Sequence, residues 1–364
     1  MEGPAIASLE VRVNRLGVVL EHDADPLDAA GILNPATART REGKLLLYPR
    51  MVAAGNRSRI GVFEDAGERF VQTGFALEPE APYELRDAPG GYGCEDPRVT
   101  FIPLLDRYVM TYTAYGPEGP RIAVALSPDG YAWRRLGLVD FSAPGLPCGD
   151  DKDAAFFSEP VFSPGGVPSF ALYHRPMLRI STLDGAAAIP AILDLPARER
   201  ESTRIAYVPL GPALADPQGL LKVAESAVVL EPAHDWGRIK NGAGTPPVRT
   251  EEGWFSVFHG VDAKYDGAGK PSGMRYSAGV VVHDALRPDI VLYRSPQPIL
   301  IPETDEERRG TVNDVVFPTG IDLRPDAPAR SYDVYYGMAD SRVGRISVEL
   351  GEAQFEADSE ESAA

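Results

Sequence analysis

A chain of 364 residues that is 44% hydrophobic can bury a large core, and its excess of 53 Asp and Glu over 36 Lys and Arg argues against nonspecific binding to nucleic acid phosphates or an anionic membrane surface. Cys94 and Cys148 are too few for a disulfide framework at this length and no Cys/His spacing resembles a metal site, which points to a reducing compartment and to no bound metal. The opening run MEGPAIASLEVRV lacks a basic flank followed by an apolar core, and no stretch of about 18 apolar residues occurs, so the expectation is a cytoplasmic protein with no membrane or nucleic acid partner.

Thirty-six glycines and 34 prolines, spread almost evenly, punctuate the chain into short segments and leave no room for long helices. Residues 1 to about 30 read as a lead-in that adds an outer strand. Then follow apolar or alternating runs that predict strands at Lys44–Tyr48, Tyr108–Thr113, Ser169–Tyr173, Trp254–Phe258, Gly279–Val282 and Tyr332–Tyr336. A strand of the type Arg-Ile/Val-small-apolar recurs at Arg59-Ile-Gly-Val-Phe, Arg121-Ile-Ala-Val-Ala, Arg179-Ile-Ser-Thr and Arg342-Val-Gly-Arg-Ile, and Tyr276-Ser-Ala-Gly-Val-Val-Val fills the gap as a diverged copy. Five units of roughly 70 residues, each unable to bury both faces alone, predict an all-β five-bladed β-propeller in a single domain over residues 1–350. A pair of β-sandwiches predicts a midpoint boundary and a parallel β-helix a much shorter repeat; neither is visible. Gly351–Ala364 is acidic, has almost nothing to bury, and is predicted to be disordered.

Five places combine charge with Gly/Pro surroundings near strand starts. The first in the chain is Leu33-Asn-Pro-Ala36 with Tyr48-Pro-Arg50 and Ser58-Arg59, where Asn and Arg are fork-like partners for sugar hydroxyls. Next, in Gly93-Cys-Glu-Asp-Pro-Arg-Val-Thr100, Pro97 is predicted to hold Asp96 extended and its carboxylate in one direction, which suits general acid work; Glu95 paired with Arg98 beside a turn-capping Asp is the plainer reading. Lys152 in Asp151-Lys-Asp153, with His174 and Arg175 in Tyr173-His-Arg-Pro176, offers several donors to a tetrahedral anion, or a solvated charge cluster. Small residues around Lys240 allow close approach of a ligand, and His259 ends a strand where an imidazole can meet an anion or serve as a satisfied structural side chain. The last place is Tyr336-Gly-Met-Ala-Asp340. The aromatics Tyr115 and Trp236 can cover the apolar face of a sugar.

Taken in order, NPA at Asn34, LLLYPR ending at Arg50, SRIG from Ser58, CEDPR from Cys94, KD at Lys152, YHRP from Tyr173, GAGTPP from Gly242, FHGV from Phe258, NDVVFPTG from Asn313 and YYGMADSRVG from Tyr335 resemble the mannoside phosphorylase family, glycoside hydrolase family 130, over residues 15 to 350. The resemblance implies a five-bladed propeller and an inverting attack by inorganic phosphate on a β-mannoside, mannobiose or mannooligosaccharide, that releases α-mannose 1-phosphate. Phosphate is then a co-substrate, and no cofactor is needed. By motif, Asp96 falls on the family's catalytic acid, which protonates the leaving oxygen through the sugar's 3-hydroxyl. Lys152, Arg175, Lys240 and His259 fall on the phosphate site, and Asn34, Arg50, Ser58, Arg59 and Asp340 on sugar-contacting or neighbouring positions, with Glu95 and Tyr115 as further substrate contacts.

Such an arrangement is chemically sufficient, because phosphate arrives nucleophilic and needs cations to hold it rather than a second carboxylate to activate water. Two departures stand out: Lys152 where many members carry Arg, giving up the bidentate fork, and Phe157-Ser-Glu-Pro for the more usual Phe-Pro-Glu. The competing readings are a β-1,2-mannosidase of the same family, which supplies a carboxylate base, and a noncatalytic glycan-binding propeller. The resemblance also implies pairing or larger rings of the chain. It leaves the linkage and leaving sugar to the segments least like the family, Ala187–Leu221 and Val261–Met274.

Overall fold

The Gly- and Pro-rich punctuation closes the strands into antiparallel meanders, which the computed structural model describes over residues 5–22, 28–87, 90–178 and 185–356. Strand β1 (Ile6–Glu21) stands apart at the start. A first unit follows in β2 (Gly31–Arg39), β3 (Leu45–Ala53), β4 (Arg57–Asp65) and β5 (Phe70–Leu77), and a second in β6 (Tyr92–Ile102), β7 (Arg107–Gly116), β8 (Gly119–Ser127) and β9 (Arg134–Leu138). The third comprises β10 (Asp151–Phe156), the two-residue β11 (Val161–Phe162), β12 (Pro168–Pro176), β13 (Thr203–Pro209) and β14 (Glu225–Leu230). The fourth comprises β15 (Lys240–Ala243), β16 (Val248–Arg249), β17 (Trp254–Tyr265), β18 (Pro271–His283) and β19 (Val291–Arg294). In the last unit β20 (Val316–Leu323), β21 (Ser331–Met338) and β22 (Arg342–Phe355) are completed by β1 from the other end of the chain. The α-helices of the described residues, α1 (Ile189–Leu193), α2 (Leu210–Ala215) and α3 (Asp305–Arg308), are no longer than 6 residues. The protein is thus mostly β, as its punctuation predicts.

Five apolar clusters occupy the boundaries between successive units. Ile60 and Leu46 meet Met110 and Tyr112 between the first and second, and Val109 and Val124 meet Phe156 and Phe170 between the second and third. Phe157 and Tyr207 meet Trp254, Phe255 and Val280 meet Val334 and Ile346, and Tyr335, Val343 and Leu20 of the last unit return to Ile32, Leu47 and Met51 of the first. Inner strands are therefore covered on both faces: β17 is buried without interruption from Trp254 to Ala263, whereas the outer strand β1 is largely exposed. A cavity of about 300 Å³ is lined by Thr37, Val99, Ser158, Pro246 and Ile321, one residue from the neighbourhood of each unit's first strand.

All six predicted strand runs lie in or at the edge of strands. The recurring Arg motif holds the third strand of its unit in β4 (Arg59), β8 (Arg121) and β22 (Arg342), and the diverged copy lies in β18. Arg179-Ile-Ser-Thr lies outside the described residues; the third strand of the third unit instead carries Arg204-Ile-Ala-Tyr-Val, displaced along the chain by the short helical turns between 185 and 199. The lead-in does supply an outer strand, paired with β22 from Ile6↔Phe355 to Glu21↔Arg342. That ladder corrects the tail: Gly351–Phe355 belongs to β22, because β1 offers it a partner no sequence-local argument reveals. Residues 357–364 lie outside the described residues.

Candidate functional site

The first strands of the first three units share an irregularity. Asn34 in β2, Asp96 in β6 and Asp153 in β10 have φ of 46°, 47° and 59°, and each lies within a shift of pairing register, Leu33/Ala36, Glu95/Arg98 and Lys152/Ala155. Asp314, just before β20, has φ 61°. Asn and Asp tolerate this left-handed backbone better than other side chains, and a bulge re-aims the residue it contains. The expectation that Pro97 holds Asp96 extended is therefore overturned: the bulge places it in the left-handed region, and Asn34 before Pro35 does the same.

These bulges bring Asn34 and Asp96 together. The buried Asp96 carboxylate accepts from Asn34 Nδ2 at 2.8 Å and Arg50 Nη1 at 3.3 Å on Oδ1, and faces Lys152 Nζ at 3.4 Å on Oδ2. Arg50 also donates from Nη2 to Glu95 at 2.9 Å and from Nε to Ser58 Oγ at 2.9 Å, while Ser58 donates to Glu95 at 3.3 Å. Glu95 thus pairs with Arg50 rather than Arg98. Burial alone would raise the Asp96 pKa, but the charges of Lys152, Arg50 and Arg98 and the Asn34 amide hold it well below the usual carboxylate range. Asp340 sits in the β21–β22 turn, where Ala339 and Asp340 have φ of 48° and 50° as a type I′ turn requires. Burial, then the negative charge of Asp96, pushes its carboxyl up to about 6.

A second group adjoins through Lys152. Arg175 lies directly across the β10–β12 ladder from Lys152, is 2% exposed, donates from Nε to Asp153 at 2.7 Å, and makes an ion pair with Glu201 through Nη1. Asp153 is fully buried and also faces His259 Nε2 at 3.6 Å and Arg98 at 3.8 Å. Arg98 donates to the carbonyls of Gly244, Asp96 and Ala243 at 3.0, 2.9 and 3.1 Å, tying β6 to β15 and its continuation. Lys240 lies with its Nζ 5.5 Å from the Tyr276 ring centroid and makes no ion pair with a carboxylate among the described residues. The carboxylates that meet Lys152 and Arg175 are brought to them by three-dimensional packing.

His259, across from Gly242 on β15, is fully buried, and burial foremost pushes it down to about 3, so it is neutral at neutral pH. It backs the cation group and adds no charge. Arg59 is directed to Glu78 at 3.4 Å and over the Phe75 ring at 5.4 Å, away from its neighbour Ser58, and Tyr115 lies under the Arg86 guanidinium at 5.1 Å. His174 leaves the anion pocket proposed for it: Nδ1 meets Asp151 at 2.7 Å, Nε2 meets Ser226 Oγ at 2.8 Å, and the ring stacks on Phe141. Trp236 is a core residue beside Phe258, donating to the Pro296 carbonyl at 3.2 Å. Sequence reasoning missed Asp153, Glu201 and the linking role of Arg98; the signal for Asp153 was the recurrence of Asn or Asp at one place in Leu33-Asn34, Glu95-Asp96 and Lys152-Asp153.

The sequence model of the Glyco_hydro_130 family, described as beta-1,4-mannooligosaccharide phosphorylase, matches residues 11–153 and 216–353, leaving the stretch that carries Arg175 and Glu201 outside the match. A beta-1,2-mannobiose phosphorylase of Thermoanaerobacter sp. (strain X514) is 30% identical over 267 residues, 72% of this chain and 69% of that protein. Among solved structures, the beta-1,2-mannobiose phosphorylase of Listeria innocua, in complex with beta-1,2-mannobiose, superimposes with a TM-score of 0.65 at 21% identity, over 92% of this chain and 96% of that one. Another, at a TM-score of 0.63 and 20% identity over 94% of each chain, is described by the statement that the mannoside phosphorylases of this family contain glycoside hydrolases targeting beta-1,2 mannosidic linkages in Candida mannan. With a family model matched over most of its length, the chain belongs to glycoside hydrolase family 130.

Proposed function

We propose that the protein is an inverting glycoside phosphorylase that cleaves a β-mannoside, mannobiose or mannooligosaccharide, with inorganic phosphate to give α-mannose 1-phosphate. One observation carries the reading: the buried Asp96 carboxylate lies 3.4 Å from Lys152, which is paired across its ladder with Arg175. Asp96 acts as the acid through the sugar's 3-hydroxyl, the Lys152, Arg175 and Lys240 cations hold phosphate, and His259 supports them. Asn34, Arg50, Ser58, Glu95 and Asp340 surround the sugar. Lys152, Arg50 and Arg98 keep Asp96 ionised, and phosphate arriving beside Lys152 offsets the largest of those charges, which moves the Asp96 pKa up in the direction a working acid needs. Phosphate is the co-substrate, and no cofactor enters this scheme.

The same reading takes the five units as blades of a five-bladed propeller, supported by the apolar cluster joining last unit to first and by the β1–β22 ladder. The unpaired, exposed Cys148 favours a reducing, cytoplasmic setting, and no helix among the described residues is long and apolar enough to cross a membrane. A β-1,2-mannosidase is the second reading, favoured by one feature: Arg175 is already spanned by Asp153 and Glu201. Reverse synthesis tests the proposal. Supplied with α-mannose 1-phosphate and a panel of mannose and mannooligosaccharide acceptors, the protein is expected to release inorganic phosphate and extend an acceptor; no phosphate release with any of them overturns it.

A further inference from the structure

The anion side of the site holds more carboxylate than a phosphate pocket needs. Asp153, wholly buried, takes the Nε edge of Arg175 and orients it. Glu201 takes the Nη1 position, and its side chain is 13% exposed where that of Arg175 is 3% exposed. Its Oε1 accepts from the Leu178 backbone N–H at 3.3 Å. Its backbone pairs with Lys240 in a parallel bridge and accepts from the Asn241 N–H at 3.1 Å, so one residue reaches Arg175 by its side chain and Lys240 by its main chain. Both cations belong to the proposed phosphate set. Glu201 also lies in the stretch that the family model leaves unmatched, at the end of the segment inserted before β13.

Glu201 meets Nη1 through the single oxygen Oε2 while Asp153 holds Nε, so a phosphate oxygen and the Glu201 carboxylate compete for the Nη1 position. We propose that Glu201 is a specificity-determining residue that competes with inorganic phosphate for Arg175 and thereby sets the phosphate affinity of the site. The inference rests on the phosphorolysis reading and adds a term to it: phosphate binding displaces the Glu201 carboxylate from Arg175. Two roles predict opposite signs. If Glu201 merely held Arg175 in place, removing its charge would weaken phosphate binding; as a competitor, its removal strengthens it.

The test is calorimetric titration of inorganic phosphate into the full-length protein and its Glu201→Gln and Glu201→Asp variants, with KM for phosphate and kcat measured in parallel. Glu201→Gln is expected to lower both Kd and KM for phosphate by about tenfold with kcat within about twofold, since one unit of opposing charge leaves a partly buried site. Glu201→Asp, whose carboxylate is drawn back by one methylene, is expected to tighten binding in the same direction by less, and reads the same sign should the Gln variant not fold. Unchanged or weaker phosphate binding in the variants overturns the inference and leaves phosphorolysis standing. Wild-type turnover without phosphate overturns phosphorolysis, while the Kd comparison still decides whether Glu201 competes for the anion.

Discussion

His259 and His283 are both fully buried, and burial foremost holds their imidazoles at about 3 and about 4, against 6.5 in the free side chain. Unfolding below pH 6.5 therefore takes up two protons that the folded protein refuses, and stability falls as pH drops toward the folded values. Asp340 opposes them: its carboxyl, raised from 3.8 to about 6, is protonated in the folded protein where the unfolded chain is ionised, so it favours folding at low pH. Glu95, Asp322 and Asp333, likewise raised by burial, oppose them as well, so the imidazole contribution is read by difference. The stability lost in urea unfolding between pH 7.5 and pH 5 is expected to be about 2 kcal/mol smaller in His283→Gln than in wild type. The same pH dependence in both proteins would contradict the buried, neutral imidazole. At this scale, Asp96, Lys152 and Arg50 were legible because each stands in a short charged motif of its own. The conformation of Asp96 was not, since a proline argument is local and the bulge is a property of the ladder. Neither was Asp153: its partners Arg175 and His259 stand 22 and 106 positions away along the chain, and only folding makes them neighbours.

Among elements, β15 meets β10 and β17 at one glycine. A Cβ on Gly242 would stand 2.2 Å from Asp153 Oδ2 and 2.3 Å from His259 Cε1, both wholly buried side chains without room to withdraw. Gly242→Ala is thus expected to lower stability by about 1–3 kcal/mol through overpacking and to depress turnover as the cation support shifts. Gly267, with nothing within 4 Å of an added Cβ, is the control, and Gly267→Ala should leave the urea midpoint and activity near wild type. Equal behaviour of the two variants would show that the β15 contact does not position the site. Strands such as Tyr108–Thr113 and Trp254–Phe258 were legible because inner strands buried on both faces read as apolar runs. The third Arg repeat was misplaced because inserted helical turns break the spacing, whereas Arg204-Ile-Ala-Tyr-Val keeps the composition. Gly351–Phe355 looked unsupported because its partner, β1, lies at the opposite end of the sequence.

The molecule as a whole carries a formal charge of −17, yet its site depends on attracting an anion. Screening over a Debye length of about 8 Å confines that repulsion to short range, which on the proposed function leaves the local cations Lys152, Arg175 and Lys240 to attract phosphate. Three successive units, the second to the fourth, bring those residues together: β6 supplies Asp96, β10 Lys152, β12 Arg175, β15 Lys240 and β17 His259. The most direct test of this shared site is the breakdown of β-1,2-mannobiose by wild type and Asp96→Asn, with and without inorganic phosphate, the products being identified by ¹H and ³¹P NMR. α-Mannose 1-phosphate is predicted only with phosphate present, at a rate about 10²–10⁴-fold lower in the Asn variant, as loss of a general acid requires. Free mannose released equally in phosphate-free buffer, or undiminished turnover in Asp96→Asn, would contradict it.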